Sequence, residues 1–155
     1  MCSRCETVLW QNPKPASAVA VVDDDSVLLV QRGTAPDEGQ WSLPAGFLEI
    51  DESHRECAVR ELTEETGMQA PEDAVDTHET LKITQRATEH VVVAVFTLDR
   101  EDARGPVEAG SDAADATFWS ADRIEEDIGD VREPYRPVLE SIVNQKIHRD
   151  VEPKS

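Results

Sequence analysis

The sequence predicts an α/β domain built on a mixed β-sheet. Two observations support this reading. Short apolar, β-branched runs alternate irregularly with segments of helical pattern. A length of 155 residues suits one compact domain large enough to bury a real core. Ala16–Val22 and Ser26–Val30 are apolar runs separated by Asp23-Asp24-Asp25, which reads as a hairpin turn. Residues 33–39, rich in Gly, Pro and Asp, form a loop, and Trp41–Pro44 leads into a Pro-Ala-Gly bend. Ser53–Thr66 reads as a helix stopped by Gly67. Ser53 is its cap, and Glu56 three residues later completes a capping box.

Thr80–Arg86 and His90–Leu98 read as strands, and the second is apolar enough for a central position. Arg100–Ser111 is a charged loop and Ala116–Trp119 a short strand. Ser120–Asp127 starts a helix with Ser120 as cap. Glu133–His148 is a C-terminal helix with Val138, Leu139 and Ile142 at helical spacing. The last residues are polar and expected to fray. No repeat or low-complexity linker divides the chain.

Thirty-three acidic residues face 15 basic ones, a formal net charge of −18. Nonspecific nucleic-acid binding needs clustered Lys and Arg, so no nucleic-acid partner is expected. An anionic membrane is disfavoured for the same reason. No run approaches the roughly 20 apolar residues that span a bilayer. The N-terminus lacks a basic stretch followed by an apolar one, so a cytoplasmic location is expected. Three cysteines do not suggest a disulfide framework.

On the helix, Glu61, Glu64 and Glu65 stand at i, i+3 and i+4 and share a face, while Ala58, Val59 and Leu62 form an adjacent apolar face. Like charges at this spacing repel, so the glutamates are either a solvated acidic face or ligands for a hard cation. The surrounding spacing decides between these. Gly46 is followed by five residues, then Glu52, then seven, then Arg60-Glu61-Leu62-Thr63-Glu64-Glu65-Thr66-Gly67-Met68. This resembles the Nudix box at every specified position, and Trp41–Glu49 resembles the usual approach to it. The resemblance covers about Asn12 to Trp119.

The resemblance implies an α/β/α sandwich and a pyrophosphohydrolase. Such enzymes cleave the phosphoanhydride bond of a nucleoside diphosphate linked to another moiety, by water attack at phosphorus. It implies that Glu61, Glu64 and Glu65, with the Gly46 carbonyl, bind Mg²⁺ or Mn²⁺. Glu52 and Arg60 would form a structural ion pair. Glu61 or Glu64 would act as general base, or else Asp112, in a Gly-x-Asp stretch similar to the family's Gly-x-Glu segment, with Asp115 as fallback. Arg32 would grip a phosphate, and Glu49 would touch substrate or metal.

ADP-ribose is the first substrate expected. The alternatives are NADH, dinucleoside polyphosphates, (d)NTPs, or a non-catalytic nucleotide-binding regulator. The aromatic and proline array that follows the box in NADH pyrophosphatases is absent, and no tyrosine follows the box before Tyr135.

Residues 1–13 form a separate element ahead of a Nudix domain at 14–149. Cys2-Ser-Arg-Cys5 resembles the second half of the zinc ribbon of NADH-pyrophosphatase-like members. A structural zinc needs four ligands, so two readings stay open: an ion shared by two copies in a homodimer, or a vestige without metal. Cys57 reads as a packing residue, and His54, His78, His90 and His148 as structural or exposed.

Self-repulsion at −18 is relieved by salt, which suits a salt-rich cytoplasm such as a halophile's. Denaturation midpoints should therefore rise with KCl; greatest stability in dilute buffer would contradict this.

Overall fold

The structure is a computed structural model that describes residues 12–35, 37–86, 89–110 and 112–151. Seven strands form one mixed sheet. Strands β1 (Lys14–Asp23) and β2 (Ser26–Arg32) are the expected hairpin, with Asp24 at φ 53° in its turn. They pair only at Val22↔Val27 and Asp23↔Ser26, then part company. Beyond that point β1 takes β4 (Ala45–Phe47) on the same edge, while its other edge pairs in parallel with β6 (Glu89–Asp99) from Lys14 to Val22. Strand β2 instead pairs with β3 (Trp41–Ser42) and with β7 (Ala113–Ser120). Strand β5 (Asp76–Arg86) forms the edge beside β6. Strands β5 and β7 are longer than their apolar segments suggested, because polar residues continue each ladder.

Alternation along β1 builds two cores, as the period of two requires. Ala16, Ala18 and Ala20 face one core, with Trp41, Trp119 and the residues Val138, Leu139 and Ile142 of α3 (Arg136–Val151). Val19 and Val21 face the other, with Ala58 and Leu62 of α1 (His54–Thr66) and Met68. Helix α2 (Ala121–Glu126) packs on the α3 side through Ile124. The result is the α/β/α sandwich. Among the described residues no helix is long and apolar enough to cross a membrane.

Both expected caps are present. Ser53 and Glu56 close the capping box of α1, and the Ser120 hydroxyl accepts from Arg123 N. The C-terminal turn of α1 is finished from outside. Gly67 takes the left-handed conformation at φ 75° and donates to the Thr63 carbonyl at 2.9 Å. The β6–β7 connection then crosses the helix end, where Glu108 N donates to Thr66 O and Gly110 N to Glu65 O, each at 2.8 Å.

That crossing has no room for a side chain at Gly110: a Cβ there would lie 1.8 Å from the Glu64 carbonyl oxygen. Gly110→Ala should cost about 1–3 kcal/mol in urea denaturation, since backbone must move to admit it. Gly129→Ala, with nothing within 4 Å of the added atom, should change stability by less than about 0.5 kcal/mol. Equal effects of the two substitutions would refute the close crossing.

Candidate functional site

Arg60 organises one side of the site. Its Nε meets Glu52 Oε2 at 2.6 Å and its Nη2 meets Oε1 at 2.8 Å, a bidentate ion pair. Nη2 also donates to the Phe47 carbonyl at 3.0 Å. Nη1 reaches Glu61 Oε1 at 2.9 Å and Glu64 Oε2 at 3.1 Å. The hydrogen bonds from Arg60 hold the Glu52 carboxyl down to about 2. The β4–α1 loop is thereby tied to the helix that follows it. Glu49 sits at the rim of this network, 3.9 Å from Arg60 Nε with its side chain 72% exposed, and does not line the adjoining cleft.

Where β1 and β2 separate, a cleft of about 370 Å³ opens. Glu61 and Glu65 line it. The Glu61 carboxylate lies so close to Gly46 that a Cβ there would stand 2.1 Å from its Oε1 and would push the carboxylate aside. The Gly46 carbonyl accepts the Cys57 thiol at 3.4 Å. Cys57 is fully buried and its thiol is pushed up to about 11 by burial, which makes it an inert packing residue. Glu65 accepts the Ala45 amide at 2.9 Å. Burial first, and the nearby Glu61 charge second, push the Glu65 carboxyl up to about 8. Burial also raises Glu61, against the lowering pull of Arg60.

The three glutamates stand on α1 at the expected spacing but take different partners. Glu64 lies outside the cleft with its side chain 56% exposed. Among the described residues no group of three Asp, Glu, His or Cys side chains is gathered to hold one ion. The cause is competition: Arg60 draws Glu61 and Glu64, while the Ala45 amide draws Glu65. The donors remain all oxygen, and paired half-buried carboxylates with raised pKa values gain strongly from a hard divalent cation. The residues therefore fit Mg²⁺ or Mn²⁺.

Asp112 and Arg32 line the same cleft. They arrive together because Gly33 N donates to the Asp112 carbonyl at 3.2 Å. Asp115, on β7, does not line the cleft and caps its own neighbour, Ala116 N, at 2.8 Å. Two further cleft residues escaped the sequence reading: Arg132 and the chain's single tyrosine, Tyr135. Both precede α3, and only their clustering with Pro134 just ahead of a helical pattern could have marked them. Ala16, Leu43, Ile83 and Val93 supply apolar lining. Cys2 and Cys5 lie outside the described residues.

Residues 12–142 match the NUDIX domain. The chain belongs to the Nudix hydrolase family. It is 32% identical over 117 residues to the ADP-ribose pyrophosphatase of Methanocaldococcus jannaschii, covering 75% of this chain and 67% of that one. It is 37% identical over 67 residues to an NAD-capped RNA hydrolase of Vibrio atlanticus, covering 43% of this chain but 24% of that one. In structure it resembles the bifunctional NMN adenylyltransferase/ADP ribose pyrophosphatase of Francisella tularensis, with a TM-score of 0.76 at 22% identity. That likeness covers 90% of this chain and 43% of the other, and it establishes the Nudix fold.

The raised Glu65 carboxyl has a consequence for stability. Unfolded, it ionises near 4.5; folded, it keeps its proton up to about 8. Between these values the folded state holds a proton that the unfolded state releases, so folding weakens as pH rises through this window. In EDTA, the wild type should lose a few kcal/mol relative to Glu65→Gln between about pH 5 and pH 8. Parallel denaturation profiles for the two proteins would contradict it.

Proposed function

We propose that this Nudix enzyme hydrolyses the phosphoanhydride bond of a nucleoside diphosphate linked to another moiety, with Mg²⁺ or Mn²⁺, and that ADP-ribose is its first substrate. The observation that carries this is the juxtaposition, in one cleft, of the carboxylates Glu61 and Glu65 with Arg32 and Asp112. The substrate choice is supported by 32% identity across most of the chain to an ADP-ribose pyrophosphatase.

In this reading Glu61, Glu64 and Glu65, with the Gly46 carbonyl, hold the cation. When bound, such an ion lowers the pKa of water and offsets charge growing on the phosphoryl oxygens. Arg32 binds a phosphoryl group through its planar donor edge. Asp112, exposed at the cleft, accepts the proton of the attacking water. Glu61 is the less apt base, because Arg60 already occupies one of its oxygens. Glu52 and Arg60 keep the loop in place, and Glu49 contributes from the rim. Residues 14–149 form the catalytic domain in this proposal. NADH is the second reading, favoured by the partial match to an NAD-capped RNA hydrolase and by the Cys2/Cys5 pair.

A phosphate-release panel over ADP-ribose, NADH, diadenosine tetraphosphate, dNTPs and sugar nucleotides, with Mg²⁺ and Mn²⁺, tests the proposal. ADP-ribose should give the highest kcat/KM; a dNTP or dinucleoside polyphosphate at the head of the panel would overturn the substrate choice. Glu64→Gln, at an exposed position, should leave the melting temperature unchanged while lowering kcat by about 10²-fold or more. Full turnover in that variant would overturn the metal-site assignment.

A further inference from the structure

Arg132 is only 9% exposed, yet its sole side-chain hydrogen bond among the described residues runs from Nε to Asp37 Oδ2, at 3.1 Å. A guanidinium carries five donors and keeps its charge at any physiological pH. The Nη edge of Arg132 has no acceptor among the described residues, and the side chain lines the cleft. Four of its five donors are thus open to the cleft rather than bonded to another of the described residues, an arrangement that calls for a reason.

Its surroundings supply the reason. Arg32 lies in the same cleft, within reach of the charges of Arg132, Asp37 and Glu65. Glu65 is tied to the Ala45 amide of β4, whereas Arg132 is tied to Asp37 on the β2–β3 connection. The guanidinium and the carboxylate thus reach the cleft from different segments. Two neighbouring guanidiniums repel each other, and an anion between them removes that cost. A planar fork suits a phosphoryl group, which accepts two parallel N–H bonds.

We propose that Arg132 and Arg32 form a two-arginine subsite for the phosphoryl group of the substrate that lies away from Glu61 and Glu65. This deepens the functional reading and rests on it for the diphosphate nature of the substrate. It makes Arg132 a residue that selects diphosphates over monophosphates. The pairing with Asp37 fixes the rotamer of Arg132 and leaves the fork turned to the cleft.

The test is calorimetric binding of inorganic pyrophosphate and of inorganic phosphate in the presence of Mg²⁺, followed by steady-state kinetics. Wild type should bind pyrophosphate more tightly than phosphate. Arg132→Gln should weaken pyrophosphate binding by about 10- to 100-fold, the loss expected for charge-assisted hydrogen bonds. Arg132→Lys should recover part of it, because the charge returns without the fork. Asp37→Asn, which breaks the ion pair but keeps the guanidinium, should change it by less than about threefold. In turnover, Arg132→Gln should raise KM far more than it lowers kcat. Equal losses in Arg132→Gln and Asp37→Asn would show that the pair merely pins the loop, and would overturn the proposal. So would unchanged pyrophosphate binding in Arg132→Gln, or no pyrophosphate binding by wild type. Pyrophosphate binding that depends on Arg132, in a protein that hydrolyses nothing on the panel, would uphold this subsite while overturning the enzymatic reading.

Discussion

The Arg60 guanidinium is the constraint on which the rest of the site depends. It meets three carboxylates and one backbone carbonyl, and none of these groups could hold its position alone. Without it, Glu52, Glu61 and Glu64 would be like charges crowded against one helix. With it, the β4–α1 loop is drawn onto α1, which brings Gly46 against the Glu61 carboxylate. Truncating a cation in such a network removes more than one contact, because each acid left behind loses its compensating charge. The bidentate pair with Glu52 is the strongest link by geometry. The contacts with Glu61 and Glu64 are single bonds that a bound cation could replace.

A second constraint comes from the sheet. Strands β1 and β2 leave each other after two paired residues, and each takes a short new partner on the freed edge, β4 for β1 and β3 for β2. The cleft lies where they part, lined by Ala16 of β1 and by Val30 and Arg32 of β2. The far wall reaches this gap by a longer route. The β6–β7 connection caps the last carbonyls of α1, and Asp112 then arrives beside Gly33. One connection thus satisfies the helix end and delivers an acid to the cleft. The Gly110 position makes both possible, since any side chain there would meet the helix backbone.

Features set by local spacing were legible in the sequence. The capping box, the Gly67 stop and the hairpin turn at Asp24 depend on residues close along the chain, and the Glu52–Arg60 pair was implied by the Nudix resemblance. The burial of Val138, Leu139 and Ile142 follows equally from helical period. What the sequence hid depends on distant pairing. The parallel match of β1 with β6 joins residues far apart, and no local pattern encodes it. The spacing of Glu61, Glu64 and Glu65 put them on one face, but not which partner each would take. Arg60 and the Ala45 amide separated them. Arg132 was overlooked for the same reason: nothing near it in sequence says that Asp37 would fix it in the cleft.

The charge of the whole chain poses a question that the cleft answers. At −18 the far field repels an anionic substrate. Salt screens that field over roughly 8–10 Å, so within the cleft the nearest charges decide. There Arg32 feels the charges of Arg132, Asp37 and Glu65. The charged side chains that line the cleft are Arg32, Arg132, Glu61, Glu65 and Asp112, a net of −1 when all are ionised, so the cleft is far less acidic than the chain as a whole. A diphosphate entering it adds negative charge beside Glu61 and Glu65, which a divalent cation at those carboxylates offsets. A cation there likewise gains from the diphosphate, because burial disfavours the two carboxylates as bare charges. On the proposed function the two ligands are therefore energetically coupled, each raising the affinity of the other by the same factor. That coupling lets so acidic a chain hold an anion without a basic surface.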